Sequence, residues 1–524
     1  MKKNVLFFTL LLAIFACKKK EPTIWEVDLF GPVIKSTLTV NNILPDSVSK
    51  INSDNSVDID YIFPFSPLKE QFFINIPDTS ILQTFPIPFS SVTSLPPGFQ
   101  FVSNTSENKL ELGDAKLEVM KIKTGKIQYK ITSQINEKTI YNYEILNSDD
   151  GNGNTFKKSF FVPAGTVSSP AIVQGNLLLN GYTFDLTTNT GTKYNILETK
   201  ISITIDPSGT AVFVSNVDSV FIENSLLNIS PEYVRGYLGK SYFVDGPANN
   251  KFDIFDKIVD GTIDLDEVEV NTTIKNYVGA EAQIKLSQFS SLNTSTSSIV
   301  TLTNSSINTW INLNRATEVG GTIIPNEHVI TYNKANSNID LFFENLPDRY
   351  ISKVEANINP LGNVSAGNDF LYFNKIVEVD FHLIIPLKLI ANNLTLEETI
   401  EFGIDKKTNQ INYGNATIYA TNGFPFDAEI QLYLLDIHNN ITDSIAVDGL
   451  LASAIIDGSN LVTSPTKSVL KFEVPSSKMA ILENNSKMKM RIKFNTKSST
   501  HTTIYKDYKI DIQIVSDFNM DMKY

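Results

Sequence analysis

Tyr508-Lys-Ile-Asp-Ile-Gln-Ile-Val515 sets the reading of the whole chain. Ile510, Ile512 and Ile514 alternate with Lys509, Asp511 and Gln513. A period of two puts the isoleucines on one face of an extended strand and the polar residues on the other. The same alternation recurs at 126–132, 200–205, 267–274, 377–385, 429–435 and 487–494, in short runs rich in Ile, Val, Thr, Phe and Tyr. Clusters of Asn, Asp, Gly, Ser and Pro break the runs. That is the pattern of antiparallel strands with one buried face. Helical signals are few. Ser230-Pro231-Glu232 offers a capping serine and a first-turn proline, and predicts a helix to residue 238. Two more short helices are predicted at 337–343, ahead of Pro347, and at 477–483. The predicted fold is mainly β: tandem antiparallel β-sandwich (Ig-like) domains with a few short helices.

Internal repetition points the same way. Gly125, Gly261 and Gly414 each open a strand, a polar turn and a returning strand, at domain-sized spacing. Such spacing is too long for a solenoid or a propeller blade and suits sandwich domains of similar plan, against the plainer reading of unrelated hairpins that look alike. The expected divisions are an N-terminal β region at 37–110 and sandwich domains at 111–250, 251–400 and 401–524.

Composition narrows the function. The 524 residues are 42% hydrophobic with a net charge of −13. That is enough chain for about three or four domains with ordinary cores. An acidic chain is a poor partner for nucleic acid, whose phosphates call for clustered Lys and Arg. Cys17 is the single cysteine, so no internal disulfide is expected and stability must come from packing.

The first residues carry a secretory signal at 1–16. Lys2 and Lys3 precede a short apolar run from Val5 to Ala16, too short to cross a bilayer as a helix. Residues 17–36 are expected to form a tether that docks on the body through Trp25, Phe30, Pro32 and Val33. Lys18, Lys19 and Lys20 suit a short solvated tether.

Ile14-Phe15-Ala16-Cys17 resembles the lipobox of bacterial lipoproteins. The resemblance implies cleavage before Cys17, a diacylglycerol on its sulfur and a fatty acyl chain on its new amine. Two or more acyl chains hold a protein stably on a membrane, at about 0.8 kcal/mol per buried methylene. No Asp follows Cys17 directly, which in such proteins implies delivery to the outer membrane. Asn345-Leu-Pro-Asp-Arg-Tyr-Ile351, Asn357-Ile-Asn-Pro-Leu-Gly-Asn363, Ile385-Pro-Leu387 and Pro32-Val-Ile-Lys-Ser-Thr-Leu38 are similar to segments of large uncharacterised lipoproteins of Bacteroidota. That likeness implies a β-rich, outer-membrane, surface-facing lipoprotein and brings no catalytic residues with it; only Glu21 follows the lysines as an acidic export tag, so the periplasmic leaflet is the alternative.

Catalytic and metal signatures are weak. His328, His382, His438 and His501 stand far apart, without metal-ligand spacing, and His382 sits in an alternating strand as a structural residue. No Gly-x-Ser-x-Gly elbow or His-Glu-x-x-His motif occurs. Acid pairs such as Asp264 with Asp266, or Glu397 with Glu398, could in principle serve a glycosidase. With 57 acidic residues such pairs arise by chance. Asp149, Asp150, Asn152 and Asn154 offer clustered oxygens of the kind calcium takes, without the downstream bidentate glutamate. A plain hairpin tip of turn-forming residues is the competing reading.

The expected function is a non-catalytic outer-membrane lipoprotein, an accessory subunit acting through contacts with a β-barrel partner or surface complex. The alternative is a surface glycan-binding lipoprotein of a polysaccharide-uptake system. For that role Trp310 is the candidate stacking platform, against the plainer reading of a core tryptophan.

Overall fold

The computed structural model describes residues 24–65, 76–188, 191–401, 409–485, 487–497 and 499–523. Strand Lys509–Lys523 buries Ile510, Ile512 and Ile514, as the alternation requires. Burying an isoleucine side chain fully is worth roughly 1.5–3 kcal/mol. The strand lies between Asn409–Asn422 on one side and Ile24–Thr39 on the other. The start and end of the described chain are therefore paired, Ile24 opposite Lys523.

The strands sort into three sandwiches. The inner one takes, in chain order, Thr79–Pro86, Gln100–Lys109, Lys116–Ser133, Thr139–Ile145, Phe156–Val162, Ala171–Leu178, Ile196–Ile205 and Ser219–Tyr237. The middle one takes Val57–Phe65, Ser241–Lys251, Glu269–Asn276, Ala282–Asn293, Ser298–Thr301, Asn326–Asn333, Arg349–Ile358 and Val377–Pro386. The outer one takes Ile24–Thr39, Lys388–Glu401, Asn409–Asn422, Phe426–Leu435, Ile441–Ile445, Thr466–Val474, Lys487–Thr496 and Lys509–Lys523.

Each sandwich pairs its strands in the same order. One sheet runs first, eighth, third, sixth, and the facing sheet runs second, seventh, fourth, fifth. Two interlocked Greek keys of that order make a jelly roll. The sandwich class expected from the alternation holds, but the connectivity is that of a jelly roll and not of an Ig domain. Facing sheets meet through aromatic side chains. Tyr129 and Phe160 lie 4.5 Å apart across the inner sandwich, and Phe289 and Phe381 5.1 Å apart across the middle one. Phe424 and Phe494 lie 6.3 Å apart in the outer one.

The three units are nested rather than strung in tandem. The outer roll contributes its first strand, then the middle roll its first, and then the whole inner roll is threaded before the other two are completed. The tandem divisions expected at 111–250, 251–400 and 401–524 are corrected accordingly, and so is the one at 37–110. Its strand Val57–Phe65 belongs to the middle sheet, and Thr79–Pro86 and Gln100–Lys109 belong to the inner roll. The tether expectation is corrected as well. From Ile24 onward the segment is a long strand held by backbone pairing, while Trp25 is 63% and Phe30 76% exposed. The side chains of Pro32 and Val33 lie outside the described residues.

The glycine-led segments are corners between facing sheets, not hairpins within one. In each roll the third strand ends on a polar residue with 0% exposure: Ser133, Asn276 or Asn422. Its side-chain oxygen accepts from the backbone N–H two residues on, Ile135, Val278 or Phe424, at 3.3, 3.0 and 2.9 Å. Those three apolar residues are themselves fully buried. The chain then crosses to the fourth strand of the opposite sheet, where Thr139, Ala282 and Ala428 take equivalent buried places.

Of the expected helices, two form, at Ile339–Glu344 and Ser476–Asn485. The one expected from Ser230 does not. Those residues belong to strand Ser219–Tyr237, whose pairing with Lys116–Ser133 shifts register around Ser230 and Pro231. Proline, lacking an N–H, is tolerated at such a bulge, and sheet pairing on a long strand overrides a local capping pattern. Among the described residues no helix is long and apolar enough to cross a membrane.

Candidate functional site

The outer face of the sheet Ser241–Lys251, Arg349–Ile358, Ala282–Asn293 gathers aromatic, charged and amide side chains. Its strands point Ala282, Ile284, Val354 and Ala356 into the core, so Gln283, Lys285, Glu355 and Asn357 face outward. Trp310 stands just ahead of strand Ile311–Leu313, which pairs with Ala282–Ile284 and brings the indole over this face.

Trp310 is half-buried, so it is not the core residue of the plainer reading. The Lys285 amine lies 4.8 Å from its ring centre, a cation–π arrangement. Tyr242, 58% exposed, meets the indole at 64° with centroids 6.5 Å apart. Beneath them Glu355 is the organising acid. It accepts from the Tyr242 hydroxyl at 2.6 Å and lies 2.9 Å from the Lys285 amine. The Tyr242 hydrogen bond and the Lys285 contact hold the Glu355 carboxyl below its ordinary value, and the same hydrogen bond raises the Tyr242 phenol. Alongside runs a row of amides: Asn357 donates to Gln283 at 3.3 Å, and Gln283 donates to Asn312 at 2.8 Å. The face thus carries two aromatic rings, an oriented acid, an amine and three amides. Donors and acceptors are thus fixed beside a surface on which a flat apolar face can stack.

Trp310 was legible in the sequence as a candidate. Tyr242, Lys285, Glu355, Gln283, Asn312 and Asn357 were not, because they come from strands far apart in the chain and each looks like an ordinary outward residue.

The other candidates fall elsewhere. Cys17 and Lys18–Lys20 lie outside the described residues. The tip carrying Asp149, Asp150, Asn152 and Asn154 links strands Thr139–Ile145 and Phe156–Val162. Its carboxylates turn back on the loop itself. Asp149 accepts from Gly151 and Gly153 N–H at 2.7 and 2.9 Å, and Asp150 from Asn152 N–H at 2.8 Å and the Asn154 side chain at 3.0 Å. Hydrogen bonds from Asn154 and Asn152 lower the Asp150 carboxyl to about 2. Asp264 and Asp266 meet opposite nitrogens of the His501 ring, at 2.9 and 3.6 Å, so the three share no common point for an ion. Glu397 and Glu398 are neighbours on a strand and point to opposite faces; Glu397 is paired with Lys489 and Arg491. His382 sits 2.7 Å from Asp60 on an outward face. Among the described residues no group of three or more His, Cys, Asp or Glu side chains is placed to hold a metal ion.

No family model matches the chain, and no curated protein matches it. Among solved structures it is similar to a putative secreted protein from Parabacteroides distasonis, at 10% identity over 94% of this chain and 99% of that one, with a TM-score of 0.25. It is also similar to Broad Bean Stain Virus, at 9% identity over 63% of this chain and 92% of that one, with a TM-score of 0.16. A third likeness is to the insecticidal delta-endotoxin Cry8Ea1 of Bacillus thuringiensis, at 10% identity over 52% and 54%, with a TM-score of 0.14. Likenesses of that size carry no argument about activity.

Proposed function

We propose that this chain is a non-catalytic lipoprotein of a bacterial outer membrane, anchored through Cys17, that binds glycan on the Trp310 face. The carrying observation is the convergence of Trp310 and Tyr242 on the Glu355–Lys285 pair, beside the Asn357–Gln283–Asn312 row. Lys285 lies over one face of the indole, so a pyranose would stack on the other while its hydroxyls reach the amides and the acid. Acid, amine and amides hold one another in place, so little ordering entropy is spent when a sugar arrives. The test is retention of the lipidated protein in polysaccharide affinity gels. Trp310→Ala should abolish retention while the circular dichroism spectrum stays unchanged; undiminished retention refutes this face. Growth with a labelled fatty acid should label the native protein and not the Cys17→Ser variant.

A second reading, an accessory subunit on an outer-membrane β-barrel, is favoured by strand Ile24–Thr39. It forms the open edge of its sheet directly after the anchor, with Trp25, Val27 and Phe30 exposed. Open edges accept a further strand from a partner. Isolation in mild detergent that recovers a defined barrel protein, lost when Val27→Pro blocks the edge, would support it.

A further inference from the structure

The shared strand order makes one face of the middle roll equivalent to one face of the outer roll. Measured from Asn276 and Asn422, Lys285 and Gln431 hold the same outward place on the fourth strand. Their cross-strand partners on the seventh are Glu355 and Arg491. The Trp310 face of the middle roll therefore has a counterpart in the outer roll, and there the face is not flat. Residues 447–450 and the strand Ile258–Leu265 stand on either side and close it into a cleft of about 630 Å³. That lies within the usual range for small-ligand sites, about 300–1,000 Å³. Its floor and walls carry Asp260, Glu429, Gln431, Tyr433, Arg491 and Lys493.

Unlike the Trp310 face, the cleft is lined by two cations and a single aromatic ring. Arg491 is held by Glu397, which lies outside the cleft and takes its Nε at 2.9 Å, and its guanidinium lies 4.9 Å from the centre of the Tyr433 ring. Lys493 stands two residues on, on the same face, about 7 Å away along the strand. Glu429 lies opposite Lys493 in the register, yet no ion pair joins them. Gln431 is fixed by donating to the Ile445 carbonyl at 2.9 Å. A planar guanidinium with its Nε engaged by Glu397 and a tyrosine ring against it is suited to receive a carboxylate, with the neighbouring amine as second donor. Glu429 and Asp260 supply acceptors for hydroxyl groups beside it.

We infer that this cleft is a second ligand site, taking a carboxylate-bearing sugar residue of the uronic acid class. It rests on the glycan reading for its ligand chemistry but on different residues, so the two can fail separately. The experiment titrates full-length protein in detergent with trigalacturonate and, separately, with neutral galactotriose, by calorimetry. Trigalacturonate should bind saturably and weaken as salt is raised. Lys493→Gln should weaken it about tenfold or more, Tyr433→Ala should do the same, and Trp310→Ala should leave it unchanged. A thermal melt of each variant within a few degrees of the parent shows that the roll is intact. Equal binding of the neutral trisaccharide to the Trp310→Ala variant, no effect of Lys493→Gln, saturable binding only of an acidic peptide, or loss of uronate binding in Trp310→Ala would each overturn the assignment.

Discussion

Asn359 donates its side-chain amide to the Asp369 carboxylate at 2.7 Å, and Asp369 has 0% exposure. The same carboxylate accepts from the Leu238 backbone N–H at 3.1 Å, and Arg315 stands 3.8 Å from its other oxygen. Leu238 follows the last strand of the inner roll, whereas Asn359, Asp369 and Arg315 belong to the middle one. Next to Asp369, Phe370–Tyr372 pairs with Tyr233–Arg235 and extends an inner sheet with a strand of the middle unit. The two rolls are thus joined by a buried acid and a strip of backbone pairing.

Asp369→Ala should destabilise the protein by about 2–4 kcal/mol, because it strips the acceptor from two buried donors and removes the acid beside Arg315, which keeps the Gly279 and Asn368 carbonyls. Asp369→Asn, which keeps an acceptor oxygen, should cost less. Calorimetric unfolding measures the loss, and faster proteolysis within residues 359–369 would locate it at the junction. An unchanged melting temperature in the alanine variant would show that the joint is not held there.

The buried corner residues should be equally intolerant. Asn422 accepts from Phe424 N–H and donates to the carbonyls of Phe426 and Ala452 at 2.9 and 3.0 Å. Asn422→Ala orphans all three and should cost about 1–3 kcal/mol. Asn276→Ala, at the equivalent corner, should behave alike. Denaturant midpoints compared with an exposed control, Asn152→Ala, test this directly.

Alkaline pH should unfold the protein through its tyrosines. Burial and the Glu318 carboxylate push Tyr233 up to about 12, and burial with the Glu378 hydrogen bond pushes Tyr277 up to about 12. Burial raises Tyr141, Tyr143 and Tyr372 further. An unfolded chain sheds these protons near 10.0, so between that pH and about 12 the native state holds protons that the unfolded state has lost. Stability is whole below pH 10 and falls as pH rises past it. Melting temperatures at successive pH values, with phenolate absorbance followed in parallel, should show part of the tyrosine signal appearing only on unfolding.

Trp25 should prove dispensable for folding. Its side chain is mostly exposed on an edge strand held by backbone bonds, so Trp25→Ser should change stability by no more than about 0.5 kcal/mol. A larger loss in chemical denaturation would mean that the side chain packs on the body.

Calcium at millimolar concentration should leave the melting temperature unmoved. Asp149 and Asp150 accept hydrogen bonds from their own loop, and among the described residues no third acid, His or Cys joins them to complete a cation site. A rise that vanishes in Asp150→Ala would reverse this assignment.

What could be read from the residues themselves was local. The alternation of Ile510, Ile512 and Ile514 dictates a strand and its buried face, because side chains on a pleated chain alternate whatever lies beside it. The class of fold and two of the three short helices followed from such signals. Ser230-Pro231 misled, because a capping pattern is worth little against a strand paired along Lys116–Ser133. Only the tertiary structure decided that Ile24 pairs with Lys523, that each inner roll is threaded after the first strand of the next, and that Tyr242, Lys285, Glu355 and Trp310 share a face. Partner choice between distant strands depends on the packing of whole sheets, and a sheet edge looks the same to the sequence whichever strand completes it.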